Sequence, residues 1–192
     1  MRVVLLEHTQ NPEKVCAVAA LTSMKEGTPS DMLSEIDEDN AKKRIQRVVG
    51  YGHYSVIEHA SFTFSIEGIS RACSHQLVRH RIASFTQQSQ RYVKMEDVPF
   101  VTPPSIKNNK TAEDIFNKSL NNNTESYKKL LELGIAPEDA RFVLPNAIKT
   151  NLVMTMNARE LLHFFNLRCC NRAQWEIRDM AWEMLYQVLE VS

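Results

Sequence analysis

The chain reads as an α+β protein, a single domain over residues 1–192 in which a small antiparallel sheet is packed by helices. Three features carry that expectation. Ser61-Phe62-Thr63-Phe64-Ser65-Ile66 alternates without a break, which puts Phe62, Phe64 and Ile66 on one face and suits an antiparallel strand with one wet side. Ile177, Met180, Ala181, Met184, Leu185 and Val188 recur at the spacing of one buried helical stripe. No βαβ unit repeats, so a doubly wound parallel sheet is not expected. With 192 residues the chain can bury about 70% of its unfolded surface without disulfide or metal, and one domain is favoured over two.

The elements follow in order. Residues 2–6 (Arg2, then Val3, Val4, Leu5 and Leu6) are expected to form a short buried strand. A helix is expected over residues 12–21, with Asn11 as its cap and Pro12 at the first position, where the missing N–H is not needed. Gly27, Pro29 and Ser30 mark a loop, and helix resumes over residues 39–49. After the alternating strand, a helix is expected over residues 70–78. Residues 97–110 hold Pro99, Pro103, Pro104, Asn108 and Asn109, the composition of an irregular connection suited to a surface lid. Thr111 and Asp114 resemble a capping box, Glu125 stands four residues before Lys129, and the helix they support should end at Gly134. Pro137 opens another helical turn. Ile148, Leu152, Met154 and Met156 share a parity over residues 148–156, which predicts a further strand. Helix then covers residues 159–167, ahead of the striped helix at the C-terminal end.

Composition narrows the function. Lys plus Arg number 23 and Asp plus Glu number 23, a balance unlike the net basic footprint of a dedicated nucleic-acid binder. Cys16, Cys73, Cys169 and Cys170 show no CxxC spacing, so neither a zinc ribbon nor a thioredoxin-like site is expected. Free thiols and a cytoplasmic setting are the simple expectation. Residues 1–6 are too short an apolar run for a signal peptide, and the longest such run, residues 15–21, is far below the roughly 20 that cross a membrane. Five glycines and no GxGxxG or Walker-type loop leave no Gly-rich turn for a dinucleotide.

Between Gly68 and Met95 there is no Asp or Glu, while Arg71, Arg79, Arg81, Arg91 and Lys94 are basic and His75 and His80 lie among them. Arginine's fork matches phosphate oxygens, and Ser84, Thr86, Gln87, Gln88, Ser89 and Gln90 both donate and accept. The mixture suits a ligand with an anionic tail and a polar base edge; it also suits a solvated basic face paired with acids elsewhere. Aromatic interleaving is limited to Phe85 and Tyr92, too little for RNA stacking. His53, Glu58, His59, His75 and His80 could suggest a metal, but no HxxxH or HxxEH pairing occurs and no metal is expected.

The segment Arg79-His80-Arg81-Ile82-Ala83-Ser84-Phe85-Thr86-Gln87-Gln88-Ser89-Gln90-Arg91 resembles the signature of the flavin-dependent thymidylate synthases at its six fixed positions: Arg79, His80, Arg81, Ser84, Ser89 and Arg91. Upstream, Gly52-His53-Tyr54-Ser55-Val56-Ile57-Glu58-His59 is similar to the family's Gly-His-x-Ser/Thr-x-x-Glu-His stretch. Downstream, Ala140-Arg141-Phe142-Val143-Leu144-Pro145, Asn157-Ala158-Arg159, Phe165-Asn166-Leu167-Arg168 and Ala173-Gln174-Trp175-Glu176-Ile177 look like further family elements. Thr86-Gln87 stands where many members carry Asn-Glu, so the length and hydrogen bonding of the second residue are kept and its charge is not. At the position of His163 some members have Asn.

The resemblance implies reductive methylation of deoxyuridylate (dUMP) to thymidylate (dTMP), with methylenetetrahydrofolate as carbon donor, NADPH as reductant and FAD as hydride carrier. It implies a homotetramer with FAD held where subunits meet, small-molecule partners, and neither nucleic acid nor membrane. For dUMP it implies Gln76, Arg79, Gln87, Gln88, Ser89, Gln90, Arg91, Arg141 and Arg168, with Arg91 and Arg141 on the phosphate. Arg168 is the implied catalytic residue, facing the uracil ring and stabilising negative charge as it develops. For FAD it implies Ser55, Arg79, His80, Arg81, Gln87, Asn157, Arg159 and His163. His53 fits a gate beside the flavin or a structural histidine. Ser89 has no evident base to activate it and is read as a ligand contact. No Pro-Cys occurs, so the cysteine chemistry of the thiol-dependent synthases is not expected.

Overall fold

The computed structural model describes residues 1–92 and 98–192; Lys94 of the basic segment and Asp97, the first residue of the expected lid, lie outside the described residues. Four strands, β1 (Arg2–His8), β2 (Ser61–Ser70), β3 (Ala83–Gln87) and β4 (Lys149–Asn157), form an antiparallel sheet in the order β1-β2-β4-β3. The alternation read in the sequence sets its faces. Phe62, Phe64 and Ile66 of β2 and Leu152, Met154 and Met156 of β4 are buried together, while Thr63, Ser65, Val153 and Thr155 point to the other side. Thr63 and Thr155, paired in register on that side, share a hydroxyl hydrogen bond of 2.9 Å.

The helices are α1 (Pro12–Thr22), α2 (Pro29–Glu35), α3 (Glu38–Gly50), α4 (Arg71–Leu77), α5 (Pro104–Lys107), α6 (Lys110–Glu132), α7 (Pro137–Ala140), α8 (Ala158–Arg168) and α9 (Trp175–Leu189), with single 3₁₀ stretches at Tyr54–His59 and Arg141–Val143. Of these, α1, α4, α8 and α9 bury side chains against the apolar face of the sheet. Leu161 and Phe164 of α8 and Ile177, Met180, Ala181 and Met184 of α9 meet the sheet residues in one cluster. Full burial of each large apolar side chain there contributes about 1.5–3 kcal/mol against its exposed state. Leu185 and Val188, the rest of the α9 stripe, pack at the margin of that cluster. A smaller cluster of Val98, Tyr127, Ala140 and Ile148 ties α6 and α7 to the start of β4.

Several expectations are corrected. The first strand is an edge strand: Val3 and Leu5 touch the core, but Leu6 is 53% exposed, and the register shifts between Leu5 and Glu7. Asn11 occupies the N-cap position of α1 at φ 48°, a left-handed conformation that Asn tolerates, and its side chain makes no capping bond. The loop expected at residues 27–30 gives way to α2, because Thr28 caps it by accepting from the Asp31 amide and Pro29 follows at the first position. Asn109, not Thr111, caps α6 through a bond from the Ala112 amide at 3.2 Å. Pro104 starts the short α5 inside the expected irregular connection. Gly134 closes α6 at φ 82°, as its sequence position suggested. β3, missed entirely, runs through the polar signature and, among the described residues, pairs only with β4.

Candidate functional site

The site begins where β2 turns into α4. Ser70 caps α4 by accepting from the Cys73 amide, and its own N–H and hydroxyl donate to the Glu176 carboxylate at 2.7 and 2.6 Å. Both residues are buried, so α9 pins the start of α4 through paired donors that have no water to turn to. Three 3.0–3.3 Å turn bonds, from the amides of Val78, Arg79 and His80, bring the chain round the end of α4 toward β3.

His80 is 5% exposed and lies edge-on to Phe164 of α8, with ring centroids 4.9 Å apart. Its Nδ1 is 3.1 Å from Glu160 Oε1, and Arg168 Nε donates to its Nε2 at 3.0 Å. These contacts select one tautomer, with Nδ1–H donating to the carboxylate and the Nε2 lone pair accepting from the guanidinium. A helix of about 3.6 residues per turn puts positions 160, 164 and 168 on one face, so α8 supplies both ends and the backing of this imidazole. Burial pushes the His80 pKa below the usual imidazole value; Arg168 and His163 add to that push, and Glu160 opposes it. Arg168 Nη2 also reaches the Gln76 carbonyl at 3.4 Å.

The ligand atoms of His80, Glu160 and His163 lie within 4.8 Å of one another, a grouping different from the histidines weighed in the sequence. Both His80 nitrogens are already taken and the Arg168 cation sits against the ring, which is the electrostatics of a hydrogen-bonded relay. The same contacts qualify the expected role of His80 as a flavin contact, because its ring has no nitrogen free for a ligand.

β3 leads from this relay to a second charged group. Ala83 and Phe85 turn inward to the core, while Ser84 and Thr86 are exposed on the open face of the sheet. Gln87 also turns inward, and its Nε2 donates to Ser74 Oγ at 2.9 Å and Thr150 Oγ1 at 3.2 Å. The Ser74 hydroxyl itself donates to the Arg71 carbonyl, so the uncharged amide supplies a proton that the serine oxygen can accept. Gln88 is fixed on both sides: its amide donates to the Asn151 carbonyl at 2.9 Å, and its own carbonyl accepts from Arg71 Nη2 at 2.9 Å. Ser89 Oγ accepts from the Arg91 amide at 3.1 Å, and Gln90 beside it is half-buried.

Arg91 then reaches Glu138 on α7, Nε to Oε2 at 2.8 Å, and Arg141 Nε donates to the Glu138 carbonyl at 3.0 Å. Arg71 completes the group. Its Nε is buried without a partner among the described residues, and its pKa is lowered by burial and then by the charge of Arg141. The structure thus gathers Arg71, Arg91 and Arg141 around the turn at residues 88–91. The sequence counted Arg71 among the basic residues without giving it a role, and nothing local distinguishes it from a solvated arginine.

Other expected residues are more dispersed. Asn157 spends its side-chain oxygen capping α8 through the Glu160 amide at 2.9 Å. Arg159 pairs with Glu58, which joins α8 to the 3₁₀ stretch that carries an exposed Ser55. Gln76 is half-buried and His163 exposed, its ring 6.0 Å from that of His80. Arg79 and Arg81 are exposed and form no ion pair among the described residues, a free donor set that fits an anionic diphosphate. Glu160 was missed, although it lies on the helix predicted over residues 159–167 and stands eight residues before Arg168, which the structure adds to that helix. Concavities of about 420 Å³, lined by Met32, Lys43 and Arg47, and about 280 Å³, apolar and lined by Cys16, Phe62 and Leu161, lie elsewhere.

A family model described as thymidylate synthase complementing protein matches residues 4–192. The chain is 48% identical over 192 residues to a flavin-dependent thymidylate synthase of Pyrococcus abyssi, covering 98% of this chain and 79% of the relative. It is 50% identical over 192 residues to that of Pyrococcus horikoshii, with the same coverage of 98% and 79%. With the Geobacter sulfurreducens protein of the same description it shares 47% identity over 194 residues, covering 100% of this chain and 84% of the relative.

Proposed function

The chain belongs to the flavin-dependent thymidylate synthase family, and on that footing we propose how its residues divide the work. The reaction is reductive methylation of deoxyuridylate to thymidylate, with carbon from methylenetetrahydrofolate, electrons from NADPH and FAD as the flavin. One observation carries the reading of the site. The signature runs along one edge strand, from the half-buried His80–Arg168 contact at one end to the Arg91–Glu138–Arg141 group at the other.

Arg91 and Arg141 bind the phosphate of deoxyuridylate, with the Ser89 hydroxyl and the amides of Ser89 and Gln90 assisting; the Gln88 amide, expected to join them, is spent on the Asn151 carbonyl. Arg71 backs them: its guanidinium, held on the Gln88 carbonyl, adds positive charge beside Arg141. Gln76 and Arg79 orient the nucleotide. Arg168 stabilises negative charge on the pyrimidine, a role favoured by a cation already fixed before reaction and backed by a neutral imidazole. Gln87 contributes from β3, chiefly by holding the strand to α4.

When bound, FAD supplies the redox chemistry. Arg79 and Arg81 meet its diphosphate, Ser55, Asn157, Arg159 and His163 complete its seat, and His80 contributes through its backbone. The protein acts as a homotetramer in the cytoplasm. Exposure of Arg79, Arg81 and Arg91 on open surface supports a site whose remaining walls come from another copy, and no described helix is long and apolar enough to cross a membrane.

The test is thymidylate formation from deoxyuridylate, methylenetetrahydrofolate and NADPH by protein stripped of flavin, with and without added FAD. Product that requires FAD is the expected result. No product together with no flavin binding would overturn the assignment of the activity.

A further inference from the structure

Glu160 has no part in the roles assigned above, yet it is a buried acid separated from Arg168 only by the His80 ring. It is 6% exposed, is held at the start of α8 by the Asn157 cap, and contacts His80 at 3.1 Å. We infer that Glu160 is a positioning residue for the reaction: by accepting the Nδ1 proton of His80, it keeps Nε2 unprotonated to hold the Arg168 guanidinium toward the substrate. The inference rests on the reading of Arg168 as the residue that faces the pyrimidine.

The geometry leaves little choice of proton placement. Arg168 Nε is always a donor, so Nε2 of His80 must accept at 3.0 Å, and the single ring proton must then be on Nδ1. A carboxylate accepts and cannot donate, which makes Glu160 the side chain that selects this tautomer. An amide there could donate to Nδ1, move the proton to Nε2 and set two donors against each other at Arg168. Phe164 blocks the ring from tilting away, with its own ring at 73° to the imidazole. The groups facing His80 are Glu160, His163 and Phe164 on α8 and Arg168 at its end, so the relay sits within one helix face and the segment that follows α4.

The experiment uses FAD-loaded protein and the variants Glu160→Gln, Glu160→Asp and Arg168→Ala. Nitrogen-15 histidine spectra of the wild type, with His80 assigned by its loss in His80→Gln, should show the Nδ1–H tautomer; Glu160→Gln should shift it toward Nε2–H. The kcat for thymidylate should fall about 10–100-fold in Glu160→Gln, with flavin content retained and KM for deoxyuridylate changed less than about 3-fold. Glu160→Asp, which keeps the carboxylate, should recover part of that loss. Wild-type kcat in Glu160→Gln, an Nε2–H tautomer in the wild type, or loss of flavin in step with kcat would each overturn the inference, the last by marking a purely structural role. Full activity in Arg168→Ala would instead overturn the reading of Arg168, whatever Glu160→Gln does.

Discussion

Arg91 and Glu138 face each other at 2.8 Å across the gap between the β3 exit and α7, and the Glu138 carbonyl also accepts from Arg141. One acidic residue therefore holds both proposed phosphate ligands in place. Both side chains of the ion pair are about half exposed, at 52% and 47%, so water already screens the contact and an arriving phosphate displaces the carboxylate readily.

Arg91→Ala and Arg141→Ala should each raise KM for deoxyuridylate about 10–100-fold, as expected for loss of a hydrogen bond to a charged group. The kcat at saturation should change much less. Comparing deoxyuridylate with deoxyuridine, which lacks the phosphate, checks the assignment: neither variant should alter the weak use of the nucleoside.

Arg168→Ala should lower kcat about 100- to 1,000-fold while bound flavin, read from its visible absorbance, is retained. Loss of flavin instead would place Arg168 in the cofactor seat.

His80 predicts an acid-side loss of stability. Its folded pKa lies below the unfolded value of about 6.5, so as pH falls the unfolded chain takes up its proton first. The contribution is present in full above that value and is lost as pH drops through it toward the folded pKa. Melting temperature measured from about pH 7.5 down to 5.5 should fall, and His80→Gln should remove part of the slope.

The cysteines should react in a set order. Burial raises the Cys16 thiol to about 11 and the Cys73 thiol to about 12, whereas hydrogen bonds from Arg172 lower the Cys170 pKa. Iodoacetamide at about pH 8 should therefore label Cys170 first and leave Cys16 and Cys73 untouched until the protein unfolds, as read by peptide mass spectrometry.

Glu176→Leu should orphan the buried amide and hydroxyl of Ser70 at a cost of about 1–3 kcal/mol for each, measured by urea unfolding. Because Ser70 begins α4, which carries Arg71 and Gln76, the same variant should also weaken binding of deoxyuridylate.

Much of the framework was legible in the sequence because it is local. Alternation at Phe62, Phe64 and Ile66 and at Leu152, Met154 and Met156 reports which face is buried, whatever those faces meet. β3 was not legible. Its five residues mix Ala and Phe with Ser, Thr and Gln, the hydrophobic signal is short, and only pairing with β4 makes it a strand. The first strand was read as buried from its apolar run, but chain order cannot tell a central strand from an edge.

By itself, then, the sequence determined the α+β class, the inward faces of β2 and β4, the stripe of α9 and the concentration of arginines over residues 71–91, since periodicity and charge are properties of the chain alone. Only the tertiary structure decided that Glu160, His80 and Arg168 form one relay, that Glu138 gathers Arg91 and Arg141, and that Gln87 turns inward to Ser74. A polar group takes its partner wherever packing supplies one, and apart from Glu138 and Arg141, three residues apart, these partners lie 13 to 88 residues apart in sequence, beyond the reach of any local pattern.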